Sequence, residues 1–431
     1  MLYPLMAKIA LMIFGLSPAT NPEGCILFLR LFSILPTVIL VLLGYTHIRR
    51  WFGDMCGLLF SLLLGCSSCT YYYSVQMRMY SWAALFVFCT FLCAYRCLKE
   101  DASLGTWLKL ALFGVLSAYT HYFALAAVFF LEIALLMVLW KRHPQKRIPW
   151  FLCGVLQAVA YLPGLLLLMK QFGGVSQGYW IRVHYPEIFG EIISFFFQGA
   201  LKPKTAFVLG CLGLVVVLGG VWYRHWKKRK LEGEVLFLTL FPLGAVCGAG
   251  LLVSLLQPIF IARYLYPMEG LFFLAMAVSL SFLQGKGRLL CWGLCMLFVA
   301  TGLRGGWTRY QSLTHFENTN WTIPIQEQGS DGDAFFCSNL NVGCQPAVFY
   351  PENPLFYYNE FQWNHKNGLG GFTFEKEISS PADLAKELES GQQVWIFDSS
   401  SSHLSQEDLG PLVCRMEPVS YFHPYSGQWI T

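Results

Sequence analysis

Charge is what this chain has least of. Asp, Glu, Lys and Arg make up 13% of its 431 residues, against 55% hydrophobic residues, whereas a soluble domain is ordinarily about a quarter charged. That scarcity excludes a water-soluble core as the setting for most of the chain. A basic stripe is missing as well. The formal charge of +5 is scattered over short connections, which removes nucleic acid from the expected partners. An internal repeat of the kind that marks two-halved transporters is also absent, and Glu132 is the one clear acid in the middle of an apolar run.

What the chain does have is apolar runs of spanning length. A hydrocarbon layer about 30 Å thick takes about 20 apolar residues as a helix. Such runs cover residues 26–45, 55–73, 79–97, 106–120, 122–140, 150–169, 205–223, 234–255, 265–283 and 288–304. Continuous apolar stretches, as at 207–221 and 123–131, suit helices and not alternating barrel strands. Basic residues fall in every second connection: His47 with Arg49 and Arg50, Arg96 with Lys99, Lys141, Arg142, Lys146 and Arg147, then 224–230, and Lys286 with Arg288. The positive-inside rule makes that side cytoplasmic. The outer side then holds the turns 76–80, 120–122 and 258–267, the long loop 170–204, and everything after residue 304.

Most of the fifteen cysteines sit within spans (Cys56, Cys66, Cys69, Cys89, Cys93, Cys211, Cys247, Cys291, Cys295), where a thiol is a small apolar side chain. Cys337, Cys344 and Cys414 belong to the outer C-terminal part. A Cys337–Cys344 bridge suits an oxidising compartment and leaves one thiol over.

Composition changes near Gly305. Residues 1–305 form the membrane module and 306–431 a small extracytoplasmic α/β domain, with short strands at 334–336 and 394–397 and a helical pattern at 381–388. About 125 residues suffice for a core. Residues 1–15 have apolar positions at helical spacing around Lys8 and read as a helix lying in the membrane interface. The alternation of basic loops puts Met1 outside, so an upstream span and the loop after it are expected to precede it. In the loop 170–204, Tyr179, Trp180, Tyr185 and the run 187–197 suit a short helix along the membrane surface, equally an interfacial anchor.

Ionisable groups at span ends line cavities or pair with something, because burying them is costly. Three outer turns carry such groups: YSVQMRMY with Gln76, Arg78 and Tyr80; THY with His121 and Tyr122; and ARYLYP with Arg263 and Tyr264. Two guanidiniums beside a histidine match a phosphate-bearing substrate, since guanidinium pairs phosphate oxygens bidentately and keeps its charge. His121 would hydrogen-bond the phosphate or shuttle a proton. Singly, such an Arg often snorkels to headgroups and such a His satisfies a neighbouring carbonyl.

The ordered set YYYSVQMRMYSWAALFVF, YTHYFALAAVFF and ARYLYPMEGLFFLAM resembles bacterial membrane glycosyltransferases of the GT-C fold, similar to aminoarabinose transferases and protein O-mannosyltransferases. The resemblance covers roughly residues 2–305 and includes the opening LYPLMAKIALMIFG, which looks like the segment that follows the family's first outer loop. It implies an all-α polytopic bundle of about ten spans, a polyprenyl-phosphate sugar as donor, donor phosphate held by Arg78, Arg263 and Tyr264, and a pocket shaped by Gln76, Tyr80, His121 and Tyr122. Gln76 stands where related sequences usually have Glu, which removes a carboxylate contact to metal or acceptor. The family's catalytic base is an Asp in the first outer loop, which would lie upstream of Met1. Of the outer acids present, Glu23, Glu187, Glu191 and Glu269, spacing singles out none as a substitute, and a protein beginning at Met1 is expected to be weakly active or inactive.

The function so implied is inverting transfer of a sugar from a polyprenyl-phosphate carrier to a lipid, glycan or protein acceptor of the cell envelope, in the plasma membrane. A divalent metal is compatible with this chemistry and not demanded by it. Aromatic residues from Phe349 and Tyr350 to Phe361 and Trp363 are suited to stacking on sugar rings or to core packing. The rival readings are a polytopic transporter or lipid-linked-glycan flippase, and an envelope polymerase or ligase.

Overall fold

The structure is a computed structural model. It describes residues 2–18, 20–99, 102–175, 183–199, 201–227, 231–283 and 287–317. Beyond these it describes 332–337, 352–358, 376–388, 392–397, 421–423 and 428–430, with single residues 325, 329, 346 and 350. The chain packs as two units, residues 1–10 with 27–309, and residues 11–26 with 310–431.

The first unit is helical. Helix α1 (Leu2–Ile13) is tied to α2 (Pro22–Leu43) by a 2.9 Å hydrogen bond between the Tyr3 and Ser33 hydroxyls. Through a π turn at Gly44–Ile48, α2 runs on into α3 (Arg49–Phe52), a continuous stretch of 31 residues. Then come α4 (Asp54–Gly65), α5 (Ser68–Ser74), α6 (Tyr80–Lys99), α7 (Leu104–Thr120), α8 (Tyr122–Arg142), α9 (Arg147–Val175), α10 (Glu187–Ser194), α11 (Pro203–Lys227), α12 (Leu231–Ser254), a 3-10 segment (Ala262–Met268), α13 (Glu269–Ser281) and α14 (Arg288–Glu317).

Among the described residues eight helices are long and apolar enough to cross a membrane, or nine if the bent pair α4 and α5 is one span. This is a membrane protein. Each predicted run falls on helix, but the expected ten simple spans are reduced at two places. The run 55–73 is broken by a 58° bend between α4 and α5, and α7 is 17 residues long, just under spanning length. The break sits at Cys66 and Ser67, where the sequence turns from leucines to small polar residues. Ser67 Oγ donates to the Phe196 carbonyl, and Ser68 Oγ to the carbonyls of Phe197 and Gln198. Those carbonyls belong to the 3-10 turn Phe195–Phe197 and the residue after it, so the two polar interruptions satisfy one another.

That turn also revises the expected surface helix at 187–197. Helix α10 forms, and Phe189 is exposed, but Phe195, Phe196 and Phe197 are buried in the bundle. Phe196 stacks on Phe272 of α13 with ring centroids 4.4 Å apart, and Phe197 stacks on Phe298 of α14 at 5.1 Å. Residues Tyr179 and Trp180 lie outside the described residues.

Helix α6 and the segment 262–281 are the innermost elements, with 78% and 89% of their apolar windows buried, whereas 11% is buried for 144–169, which includes most of α9. The exposed Phe151, Leu152, Val159, Leu162 and Leu166 give α9 the surface expected against lipid tails. Polar contacts help to hold it: Glu132 of α8 accepts from Trp150 Nε1 at 2.8 Å and from Gln157 Nε2 at 2.9 Å.

Basic connections meet at one end of the bundle. His47 is within electrostatic reach of Arg50 and Arg96, Lys146 Nζ donates to the Cys97 carbonyl at 2.9 Å, and Arg142 pairs with Glu234. The turns 76–80 and 120–122 lie at the far ends of these same helices.

In the second unit, strands β1 (Ala334–Cys337), β2 (Leu355–Tyr358), β3 (Lys376–Ile378) and β4 (Val394–Phe397) form a parallel sheet in the order β3-β2-β1-β4, with Phe335 opposite Leu355 on one side and Trp395 on the other. Strands β5 (Tyr421–His423) and β6 (Gln428–Ile430) pair antiparallel. Strand alternation gives the sheet two apolar faces, Phe335, Leu355, Tyr357 and Phe397 on one, and Phe336, Phe356, Ile378 and Leu384 on the other. Buried Asp333 accepts from Trp395 Nε1 at 2.8 Å. The pattern at 381–388 is a 3-10 turn, Pro381–Asp383, followed by Leu384–Glu387. Tyr350 stacks on Phe335 at 5.2 Å as part of the core, while Phe349, Phe361 and Trp363 lie outside the described residues. Cys337 is buried in β1, and Cys344 and Cys414 fall outside the described residues.

Close approach at the break has a testable consequence. A Cβ at Gly302 of α14 would stand 1.8 Å from the Cys66 carbonyl oxygen, whereas one at Gly293 meets nothing within 4 Å. Gly302→Ala is expected to destabilise the purified protein by about 1–3 kcal/mol through overpacking, seen as a lowered thermal midpoint in detergent. Gly293→Ala leaves the midpoint in place.

Candidate functional site

The first turn begins where α5 ends. Gln76 N–H donates to the Tyr73 carbonyl, and Arg78 N–H donates to the Gln76 carbonyl at 2.7 Å, folding the chain back so that Tyr80 opens α6. Gln76 is half-buried, Arg78 exposed and Tyr80 buried. The Arg78 guanidinium is within electrostatic reach of the Tyr80 hydroxyl.

The second turn is one residue long. His121 has extended backbone between α7 and α8. Its N–H donates to the Ser117 carbonyl at the end of α7, and its Nδ1 accepts from the Phe123 N–H at the start of α8 at 3.1 Å. A side-chain acceptor at this position satisfies an N–H that the new helix leaves open. Accepting at Nδ1 assigns the proton of the neutral ring to Nε2. The imidazole is buried between two phenols, with centroids 5.5 Å from Tyr80 and 5.3 Å from Tyr264.

The third turn is the 3-10 segment before α13. Tyr264 stacks on Phe123 at 4.7 Å, and the half-buried Arg263 has its guanidinium carbon 5.8 Å from the Tyr264 ring centre. Arg263 is within electrostatic reach of Tyr73, Tyr80 and His121. The structure thus brings Arg78, Tyr80, His121, Arg263 and Tyr264 to one place, from three turns far apart in sequence. Tyr122, the next residue after His121, has an exposed ring near Tyr161 of α9.

Two further tyrosines complete the wall. Tyr73 lies 5.6 Å from Tyr80 and 4.9 Å from Tyr266, and Tyr266 lies 6.3 Å from Tyr80. Both stand in the motifs YYYSVQMR and ARYLYP, yet no sequence feature separates a wall residue from an interfacial anchor. The four outer acids also separate. Glu23, Glu187 and Glu191 are exposed, while Glu269 is buried and accepts from Thr70 Oγ1 at 2.6 Å. Among the described residues no group of three His, Cys, Asp or Glu side chains could hold a metal ion.

Chemically, guanidinium, phenol hydroxyl and a neutral imidazole Nε2–H all donate hydrogen bonds. Donors of this kind converging at the edge of an apolar bundle suit an anion with several oxygens.

Burial, reinforced by the positive charges of the amino terminus and then of Arg263, lowers the His121 pKa from the ordinary 6.5 to about 4. The folded ring is therefore neutral above that value, while an unfolded chain would protonate it below about 6.5. Its contribution to stability is present above pH 6.5 and is lost as pH falls from there towards 4. The thermal midpoint is expected to drop over that window, by the equivalent of on the order of 2 kcal/mol at about pH 4.5. His121→Asn, which keeps a capping acceptor, removes that part of the pH dependence.

Neither a scan of protein-family models nor a search of curated protein sequences returns a match. Among solved structures, the chain is similar to ArnT from Cupriavidus metallidurans in the apo state, with 12% identity and a TM-score of 0.60. It is also similar to the same protein bound to undecaprenyl phosphate, with 13% identity and a TM-score of 0.58. In both cases the likeness covers 93% of this chain and 82% of the other. The resemblance read from three turns and the likeness of the whole backbone agree: the chain has the GT-C fold of ArnT.

Proposed function

We propose that this protein is an inverting glycosyltransferase that moves a sugar from a polyprenyl-phosphate donor to an acceptor of the cell envelope, at the outer face of the plasma membrane. The observation that carries this reading is the meeting of Arg78 and Arg263 around Tyr80 and His121. As the bond between the anomeric carbon and the phosphate oxygen breaks, negative charge grows on the departing polyprenyl phosphate. Two fixed guanidiniums stabilise that charge, and stabilising the leaving group lowers the barrier. The acceptor hydroxyl attacks from the opposite side of the sugar and gives its proton to a carboxylate base.

Several facts support this assignment. The fold is that of ArnT, and one of the similar structures holds undecaprenyl phosphate, a lipid carrying the anion that the donor set suits. The site lies at the end of the bundle opposite the basic connections, which the positive-inside rule places outside. Glu132, the mid-span acid that a transporter would use, is engaged by the neutral donors Trp150 and Gln157. Residues 306–431 then face the envelope and contact the acceptor or a partner.

Transfer of label from a radiolabelled polyprenyl-phosphate sugar to envelope extract tests the proposal. Arg263→Ala and Arg78→Ala are each expected to lower transfer about 10- to 100-fold, the loss of a charge-assisted hydrogen bond to phosphate. Arg50→Ala, at the opposite end, leaves it unchanged. Equal transfer by all four proteins, or equal binding of undecaprenyl phosphate by all four, overturns the enzymatic reading.

A further inference from the structure

Behind the tyrosine wall sits a carboxyl group that the transfer chemistry does not use. Glu269 is the first residue of α13 and is 1% exposed. Thr70, in the middle of α5, donates to its Oε1 at 2.6 Å across 199 positions of sequence. The Tyr266 hydroxyl is buried beside the same carboxyl. A Leu of similar size would fill this apolar site at less cost, because taking a carboxyl out of water is unfavourable even when it is hydrogen-bonded. A polar group there has to be explained by what it holds.

What it holds is the pair of elements that carry the two guanidiniums. Thr70 stands eight positions before Arg78, one turn of α5 from Ser74, where the helix ends. Glu269 stands six positions after Arg263 on the segment that runs from the 3-10 turn into α13. Between the two, Tyr266 packs on Tyr73 and Tyr80, the rings that back the site. Cys69, next to Thr70 and fully buried, is within electrostatic reach of Glu269 and close enough to Tyr73 to act on it.

We propose that Glu269 is a positioning residue, whose hydrogen bond to Thr70 clamps the Arg263 segment to the Arg78 turn and sets the separation of the two guanidiniums. This rests on the reading of those guanidiniums as the holders of the carrier phosphate. The clamp needs shape and one hydrogen bond, not ionisation. An amide of the same shape therefore replaces it, and removal of either partner releases it.

The test uses the full chain in detergent with undecaprenyl phosphate as the probe. Glu269→Ala and Thr70→Val are each expected to weaken binding roughly tenfold, the effect of one buried hydrogen bond. The double variant is no weaker than the worse single one, because both remove the same contact. Glu269→Gln binds within about twofold of the parent and retains transfer, since it restores the contact. Binding unchanged in Glu269→Ala overturns the proposal. So does Glu269→Gln that binds normally but has lost transfer, because that result makes the carboxyl a proton acceptor.

A second readout needs no ligand. The rate at which a maleimide labels Cys69, followed on its peptide by mass spectrometry, is expected to rise at least about tenfold in Glu269→Ala and Thr70→Val and to stay low in Glu269→Gln. Equal binding of undecaprenyl phosphate by the parent and by Arg263→Ala would remove the carrier-phosphate reading and leave the clamp to be judged on Cys69. Unchanged labelling in Glu269→Ala then overturns the clamp itself.

Discussion

A guanidinium cannot shed its charge, so one placed at the rim of an apolar helix bundle dictates what surrounds it. Arg263 is half-buried there, beside groups that tolerate a cation. Tyr264 offers a ring face, Tyr73 and Tyr80 are phenols, and His121 is kept neutral by the same burial and the same positive charge. The carboxyl nearest in sequence, Glu269, is engaged with Thr70 on the far side of the tyrosines. A fixed cation among phenols and a neutral imidazole carries a field that attracts an anion arriving from outside. The break between α4 and α5 serves the same end. It bends the chain by 58° into α5, whose end leads into the turn that carries Arg78.

The protein interior reflects the solvent it faces. Lipid tails are as apolar as leucine, so helices in a membrane are not driven together by exclusion from water. Close packing and a few polar bonds have to do it. Here the bonds occur where packing is thinnest: Glu132 holds a helix that is otherwise almost all surface, and Ser67 and Ser68 close the gap at a broken span. At the centre one such bond, Thr70 to Glu269, is set among packed rings. Phe88 and Phe91 of α6 and Phe272 and Phe273 of α13 fill the space around it.

Much of this was legible in the residues because hydropathy is read one segment at a time. Helix positions, the basic end and the three polar turns follow from local composition. The strands at 334–337 and 394–397 follow from short apolar runs between turn residues. Less legible was anything decided by a partner distant in sequence. The bend at Cys66 depends on carbonyls about 130 positions away, so a run of spanning length concealed it. The burial of Phe195–Phe197 depends on α13 and α14, and an apolar run next to an amphipathic helix looks the same whether it meets lipid or protein. Tyr73 and Tyr266 were visible as tyrosines but not as one wall, and Glu269 could not be told from three exposed acids.

His121 joins two helices with a single residue, and its ring is part of the join. One nitrogen is committed to the backbone of α8, which leaves Nε2 as the only edge turned to anything else. An imidazole whose outer nitrogen already carries a hydrogen takes up a second one at the opposite nitrogen. In this ring the receiving edge is a structural joint, and filling it with hydrogen would loosen the first turn of α8. With that cap in place, the hydrogen on Nε2 is held out as a bond donor towards the rim.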